Sequence, residues 1–304
     1  MKRILVIGYS QSGQLYEILE NFLKPFQGVE IEQVKFETKE AFPFPWTSDV
    51  FFDTMPESVL EEPVDLAPYT LKSSSYDLII FGYQPWYLSP SIPTTSILKD
   101  PKFLSVLKDT PVVTVIGARN MWLNAQESVV GYIEEAGGKI VGNVPLVDRH
   151  QNLVSVLSIL HWMLTGKKDR KWGILAMPGV SDKDIKGVEV FGKKVFEGLQ
   201  KESYKGLQDE IIREGKIDVD ASVLLVEMKG KMLFLAWAKL IKKQGAASKK
   251  RSFWVNVYKY YLLVALFIVS PIILTIYNLL IRPFRRKSIQ KQKDYFFYLG
   301  IDRT

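Results

Sequence analysis

Ser10, Ser12, Gly13 and Gln14 fall within Tyr9-Ser10-Gln11-Ser12-Gly13-Gln14-Leu15, a stretch that separates an apolar run at residues 4–7 from the first helical pattern. In such a strand–loop–helix unit the free backbone N–H groups and the positive end of the helix dipole favour an anion. Ser10, Ser12 and Gln14 add side-chain donors, Gln11 and Leu15 complete the cradle, and Gly13 lets the backbone come close to the anion's oxygens. The loop holds no Lys or Arg, so the expected ligand is a phosphate monoester gripped by neutral donors. It lacks both the Gly-x-Gly-x-x-Gly of dinucleotide sites and the Gly-Lys-Ser/Thr of a P-loop. The plainer alternative is an ordinary strand–helix turn that contains Ser and Gly.

Three later loops carry the other chemically able side chains. Pro85, Trp86, Tyr87 and Leu88 follow the apolar run at 78–82. Trp86 and Tyr87 offer flat faces to a planar ring, while the prolines fix the loop in advance. Gly117, Arg119, Asn120 and Trp122 follow the run at 112–117. Arg119 suits negative charge on a reduced ring, and Asn120 suits hydrogen bonding to a pyrimidine edge. Val147-Asp148-Arg149-His150 closes a fifth run, and His150 is the group there whose ordinary pKa suits proton transfer near neutrality. Tyr87 is the second candidate to accept a proton. Each has a plainer reading: aromatics packed under a loop, a surface ion pair at Arg119, a loop histidine without a role. His161, inside an apolar helix, reads as a packed, satisfied residue. With no Cys and only two His, thiol catalysis, disulfides and a histidine-rich metal site are excluded, and no metal is expected.

The elements that must position these loops alternate between strand and helix as far as about residue 203, the pattern of a parallel sheet covered by helices. Strands are predicted at residues 3–7, 30–36, 78–82, 112–117 and 139–144. The first, third and fourth are nearly all apolar, as central parallel strands should be, and the second is mixed, as an edge should be. Helices are predicted from Leu15, from Asn124 with Glu127 as a capping box, and from Ser181 onwards. This is an α/β fold, flavodoxin-like, with a five-stranded parallel sheet in the order 2-1-3-4-5 and its ligand at the strand C-termini beside strand 1. In that fold the three loops would hold FMN, with the ring between the second and third.

Two insertions interrupt the plan. Residues 42–56, opening with Phe42-Pro43-Phe44-Pro45-Trp46, form a Pro- and aromatic-rich connection too irregular for a helix, and residues 153–164 are apolar on every side. The second is either core or a wall for a hydrophobic substrate or for lipid, and is too short to span a bilayer. Beyond residue 205 the composition changes. Residues 221–243 mix apolar runs with lysines, as an interfacial amphipathic helix does. Residues 260–281 carry no charge and are long enough to cross a membrane, with Tyr258, Tyr260 and Tyr261 at the start. Basic residues flank the run on both sides and Pro271 interrupts it, so a span and a helix–break–helix hairpin both stay open. The predicted units are therefore 1–203, a flavodoxin-like FMN domain; 204–257, an interfacial linker; 258–283, a transmembrane or re-entrant segment; and 284–304, a basic tail. The net charge of +7 is concentrated in that C-terminal region, which favours anionic lipid over nucleic acid. Met1-Lys2-Arg3 precedes an apolar run too short for a signal-peptide core. The expected location is the inner membrane, with the folded domain on its cytoplasmic face.

The loop at 9–15, Phe42–Trp46, Trp86-Tyr87-Leu88-Ser89-Pro90-Ser91-Ile92-Pro93, Gly117–Trp122 and Val147–His150 together resemble the flavodoxin-like proteins encoded with dialkylresorcinol and flexirubin pigment synthesis in bacteria, a family named "dialkylresorcinol condensing enzyme". The resemblance covers essentially the whole chain. It implies an FMN-dependent step beside a ketosynthase partner: aromatisation of a dialkylcyclohexane-1,3-dione to the resorcinol. The sequence departs from general flavodoxins at Leu15, where a Ser or Thr commonly adds a phosphate contact. Competing readings are a membrane-tethered electron carrier, a quinone reductase, and a scaffold without flavin. Self-association into a homo-oligomer stays open.

Overall fold

The computed structural model describes residues 1–150, 152–173, 175–215 and 217–302. In chain order its first half comprises β1 (Arg3–Gly8), α1 (Gln14–Leu23), β2 (Glu30–Lys35), α2 (Ser48–Asp53), α3 (Met55–Val59), β3 (Leu78–Tyr83), β4 (Pro85–Trp86), β5 (Ser89–Pro90), α4 (Ile92–Leu98), α5 (Pro101–Leu104), β6 (Pro111–Ala118), α6 (Leu123–Glu135) and β7 (Lys139–Val147). There follow α7 (Asn152–Thr165), α8 (Asp182–Gly187), α9 (Glu189–Gln200), α10 (Leu207–Arg213), α11 (Ala221–Lys242), α12 (Lys249–Val264), α13 (Ser270–Ile276) and α14 (Arg286–Phe297).

Five strands pair in parallel in the order β2-β1-β3-β6-β7, which is the flavodoxin-like order expected from the sequence. The central strands were legible because both faces are covered: β3 is buried throughout, and β1 after its first residue. One face packs on α1, α8, α9 and α10 through Ile4, Val6, Leu78, Ile80, Phe191 and Ile211. The other packs on α4, α5 and α6 through Leu5, Ile79, Phe81, Phe103 and Val129. Glycines set the closeness of the first layer. A side chain on Gly82 would meet Leu19 of α1 at 2.8 Å, and one on Gly192 of α9 would lie 1.9 Å from the Phe22 carbonyl oxygen.

Three local expectations change. The connection at 42–56 does hold a helix, α2, whose N-terminus is capped by Thr47 Oγ1 accepting the Val50 N–H at 3.3 Å. The helix beginning at Ser181 breaks at Val188 into α8 and α9, although Val188, Phe191, Val195 and Leu199 are all buried as expected. The N-terminus of α6 has no side-chain cap of its own. Its Asn124 N–H donates instead to Glu227 Oε1 of α11 at 2.8 Å, and Asn124 Nδ2 to the Glu227 carbonyl at 3.1 Å. A buried carboxylate at a helix N-terminus meets both the free N–H groups and the dipole.

The core does not close at residue 203. Leu207, Ile211 and Ile217 join the sheet face that carries α1. The β7 backbone N–H of Asn143 donates to Gln208 Oε1 at 2.9 Å. Val219, Leu224 and Phe296 of α14 lie in the opposite core. Residues 249–284 form one long helix through Pro271, unbroken apart from two π-helical turns at Ala265–Val269 and Tyr277–Ile281 and a final 3-10 turn.

Candidate cofactor and substrate site

The loops after β1, β3 and β6 meet at the point where strand order reverses, between β1 and β3, and enclose a cavity of about 220 Å³. On one side stands the turn into α1. Gly13 is left-handed (φ 85°), and a side chain there would project into open space. Ser10 Oγ accepts the Leu15 N–H at 3.1 Å. Among the described residues the N–H groups of Ser12, Gly13 and Gln14 have no acceptor. Gln11 is a brace: its N–H donates to Gln84 Oε1 at 2.8 Å, its Nε2 to the Pro43 carbonyl at 2.7 Å, and its Oε1 accepts from the Tyr9 hydroxyl. Gln14 is not the side-chain donor expected. Its buried amide exchanges two 3.0 Å bonds with Val180, its Nε2 donating to the carbonyl and its Oε1 accepting from the N–H. Gly179 must be glycine there, since a side chain would meet Gln14 Oε1 at 2.6 Å and the Trp162 ring at 2.7 Å.

Aromatic rings form the facing wall. Trp86 packs edge-on to Trp46 and Phe42, each with centroids 5.2 Å apart. Trp86 is held by the β4–β5 hairpin, whose two turn residues, Tyr87 (φ 49°) and Leu88 (φ 61°), are both left-handed without being glycine. Strain of that kind persists where the surroundings over-determine it. Ser58 Oγ donates to the Trp86 carbonyl, and Lys231 of α11 reaches the Leu88 carbonyl and Ser89 Oγ. The Tyr87 hydroxyl donates to the Phe51 carbonyl, and burial pushes its pKa well above the ordinary value. That keeps the hydroxyl protonated, so Tyr87 supplies a ring face rather than a base. Trp46 Nε1–H is buried beside the cavity without an acceptor.

Arg119 closes the third side. Burial lowers its pKa to about 10, opposed by the charges of Asp148 and Glu227, and it stays cationic at neutral pH. Gly117 and Pro85 line the same cavity. Asn120, Trp122 and His150 do not; they line a neighbouring space with Asp148, Asp218 and Asp220. His150 Nδ1 lies 2.6 Å from the buried Asp148 Oδ1, and the Asp148 charge in turn acts on Arg119 of the first cavity. Ser155 Oγ donates to the other Asp148 oxygen at 2.7 Å. His161 pairs with Asp169 at 2.7 Å, a satisfied residue as expected.

From the cavity an apolar groove of about 670 Å³ continues between α7, α11 and the long helix. Phe51, Pro85, Tyr87, Arg119 and Ile159 belong to both spaces, and Leu88 to the groove alone. The all-apolar α7 divides its side chains: Trp162 and Met163 face the cavity, Val156 and Leu160 the groove. Trp46, Phe51, Trp162 and Gly179 also line the cavity, and no motif in the sequence marks them as site residues. Their signal was the density of aromatics and prolines in the two insertions.

No protein-family model and no curated protein matches the chain. Solved structures resemble it. A flavoprotein from Lactobacillus acidophilus NCFM in complex with FMN is 17% identical over 48% of this chain and 93% of its own, with a TM-score of 0.38. A flavodoxin from the domain Archaea is 12% identical over 65% of this chain and 99% of its own (TM-score 0.33). A flavone reductase is 14% identical over 65% and 63% (TM-score 0.31). At these scores the fold assignment rests on strand order and pairing.

Proposed function

We propose that this chain is an FMN-dependent oxidoreductase that aromatises a dialkylcyclohexane-1,3-dione to a dialkylresorcinol at the inner membrane, its α/β body on the cytoplasmic face. The observation that carries the reading is the continuity of the two spaces: a donor-lined cavity at the strand switch point opens past Arg119 and Tyr87 into an apolar groove. The residues present fit FMN on two counts. Three unpaired N–H groups surround a left-handed glycine at the start of α1, and a buried Trp46 N–H lacks an acceptor at the aromatic wall. When bound, FMN supplies a two-electron acceptor for the hydride that the ring must lose.

The remaining work belongs to the side chains. Ser12, Gly13 and Gln14 would hold the phosphate by their backbone, and Trp46, Trp86 and Tyr87 would flank the ring system. A 1,3-dione is a vinylogous acid that ionises readily. The buried Arg119 cation therefore favours binding it as the enolate, its proton released to water. His150 acts at one remove, through Asp148 and the field on Arg119. The groove takes an alkyl chain, each buried methylene contributing about 0.8 kcal/mol, or roughly fourfold in apparent KM. A ketosynthase that joins two acyl chains is the class of reaction that would supply such a substrate.

The test is an anaerobic titration of FMN-loaded protein with dialkylcyclohexanediones of graded chain length. Bleaching of the flavin with formation of the resorcinol, steeper for longer chains, is expected. Gly13→Val should lose FMN, because a β-branched residue resists φ near +85°. Ready reduction by a reductase partner with no bleaching by any dione would make the protein an electron carrier.

A further inference from the structure

We infer that the long helix at residues 249–284 lies flat along one leaflet, neither spanning the bilayer nor turning back within it; the inference rests on the membrane attachment proposed above and deepens it. A spanning helix separates its two ends by the hydrocarbon core, about 30 Å thick. Here both ends are fastened to the same α/β body. At the first, Arg251 donates to Asp53 Oδ1 at 2.7 Å and to both Glu57 oxygens at 3.0 and 2.8 Å, and Tyr258 is buried among Phe52, Met55 and Val59. At the other, Tyr277 packs on Ala221 and Ile289, and Asn278 bonds Ser222 Oγ. Just beyond, Phe296 enters the sheet's core.

Between those ends the helix runs beside α11, which is itself tied to the body by Glu227 on α6 and by Lys231 on Glu61. Carrying the helix across a bilayer would take those buried charges with it, an expensive transfer. The opposite face is bare. Tyr260, Ile268, Ile272, Leu279 and Leu280 line no part of the groove, and each is at least 56% exposed. This stripe holds no polar side chain beyond one tyrosine hydroxyl, the mark of a helix embedded in the interface. Lys249 and Lys250 at one end and Arg285, Arg286 and Lys287 at the other are exposed and suit anionic headgroups. The occupant of the stripe is therefore the acyl layer of an anionic leaflet. The groove, whose floor includes Leu262, Leu266 and Ile273 of this helix, then opens beside the lipid chains.

The absence of cysteine makes a direct test possible. Ser252→Cys and Lys287→Cys are placed singly in the full chain, and an impermeant maleimide is applied to spheroplasts and to inverted inner-membrane vesicles. Both sites should react in inverted vesicles and neither in spheroplasts; reaction from opposite sides would show a span and overturn the inference. A re-entrant hairpin would pass that step, so fluorophores on Tyr260→Cys, Ile268→Cys and Leu280→Cys are then ranked by depth-dependent quenching. Equal shallow depths are expected, and a deep Ile268 would overturn the flat arrangement. Recovery of the full chain in the soluble fraction would instead overturn the membrane attachment itself.

Discussion

Glu227 shows how one side chain joins the C-terminal third of the chain to the candidate site. It is fully buried, it caps α6 from 103 residues away, and its field acts on Arg119. Burial raises its pKa to about 7, outweighing the N–H groups that favour the anion, and its Oε2 has no partner. The folded protein therefore holds a proton that the unfolded chain releases near pH 4.5, and stability from this group falls as pH rises from about 4.5 to about 7. Glu227→Gln keeps an acceptor for Asn124 and removes the titration. Denaturant unfolding of the two proteins should show wild type losing about 3 kcal/mol relative to the variant between pH 4 and pH 8. A constant difference would place the ionised form in the fold throughout. Nothing near Glu227 in the sequence points to α6, which is why Asn124 and Glu127 read as a self-contained capping box. Gln14 misled similarly: its neighbours suggested a phosphate donor, but Val180 takes its amide.

At the level of elements, the strands were readable to within one to three residues because apolar runs buried on both faces leave little choice of register. The β4–β5 hairpin was not, since Tyr87 and Leu88 adopt left-handed turns that sequence assigns to Gly or Asn. Helix contacts also escape periodicity. The α1 and α9 helices touch through backbone because Gly192 has no side chain, and a methyl group there would collide with the Phe22 carbonyl. Gly192→Ala should cost about 2–4 kcal/mol by thermal or denaturant unfolding. Gly131→Ala in α6, where a methyl group meets nothing within 4 Å, should gain about 0.5–1 kcal/mol. Equal effects at the two positions would mean that helix propensity, not contact, governs both.

For the whole molecule, composition marks a change of character near residue 205, yet packing places no boundary there. The sheet's flank on β7 is covered by Leu207 and Ile211, and its other face by Val219, Leu224 and Phe296. A chain truncated after Ser203 should therefore aggregate or bind a dye specific for exposed apolar surface, rather than give a sharp, cooperative unfolding transition. A monomeric, cooperatively unfolding fragment would show that the later helices are accessory. Hydropathy marked one C-terminal helix long and apolar enough to cross a membrane. It did not reveal how that region lies, because Arg251, Tyr277 and Phe296 act through tertiary contacts that no local window contains.

The place of Phe296 in the core has a consequence for the order of events during synthesis. Ribosomes add about 5–20 residues per second. On the order of 5–20 s therefore separate the appearance of Ser203 from that of the side chain that finishes the sheet's covering. Throughout that interval the nascent chain presents an open sheet flank and, towards its end, a bare apolar helix. A leaflet or a chaperone that takes up the helix first would hold the chain at a surface while its fold is still incomplete. Attachment would then precede the final closure of the core.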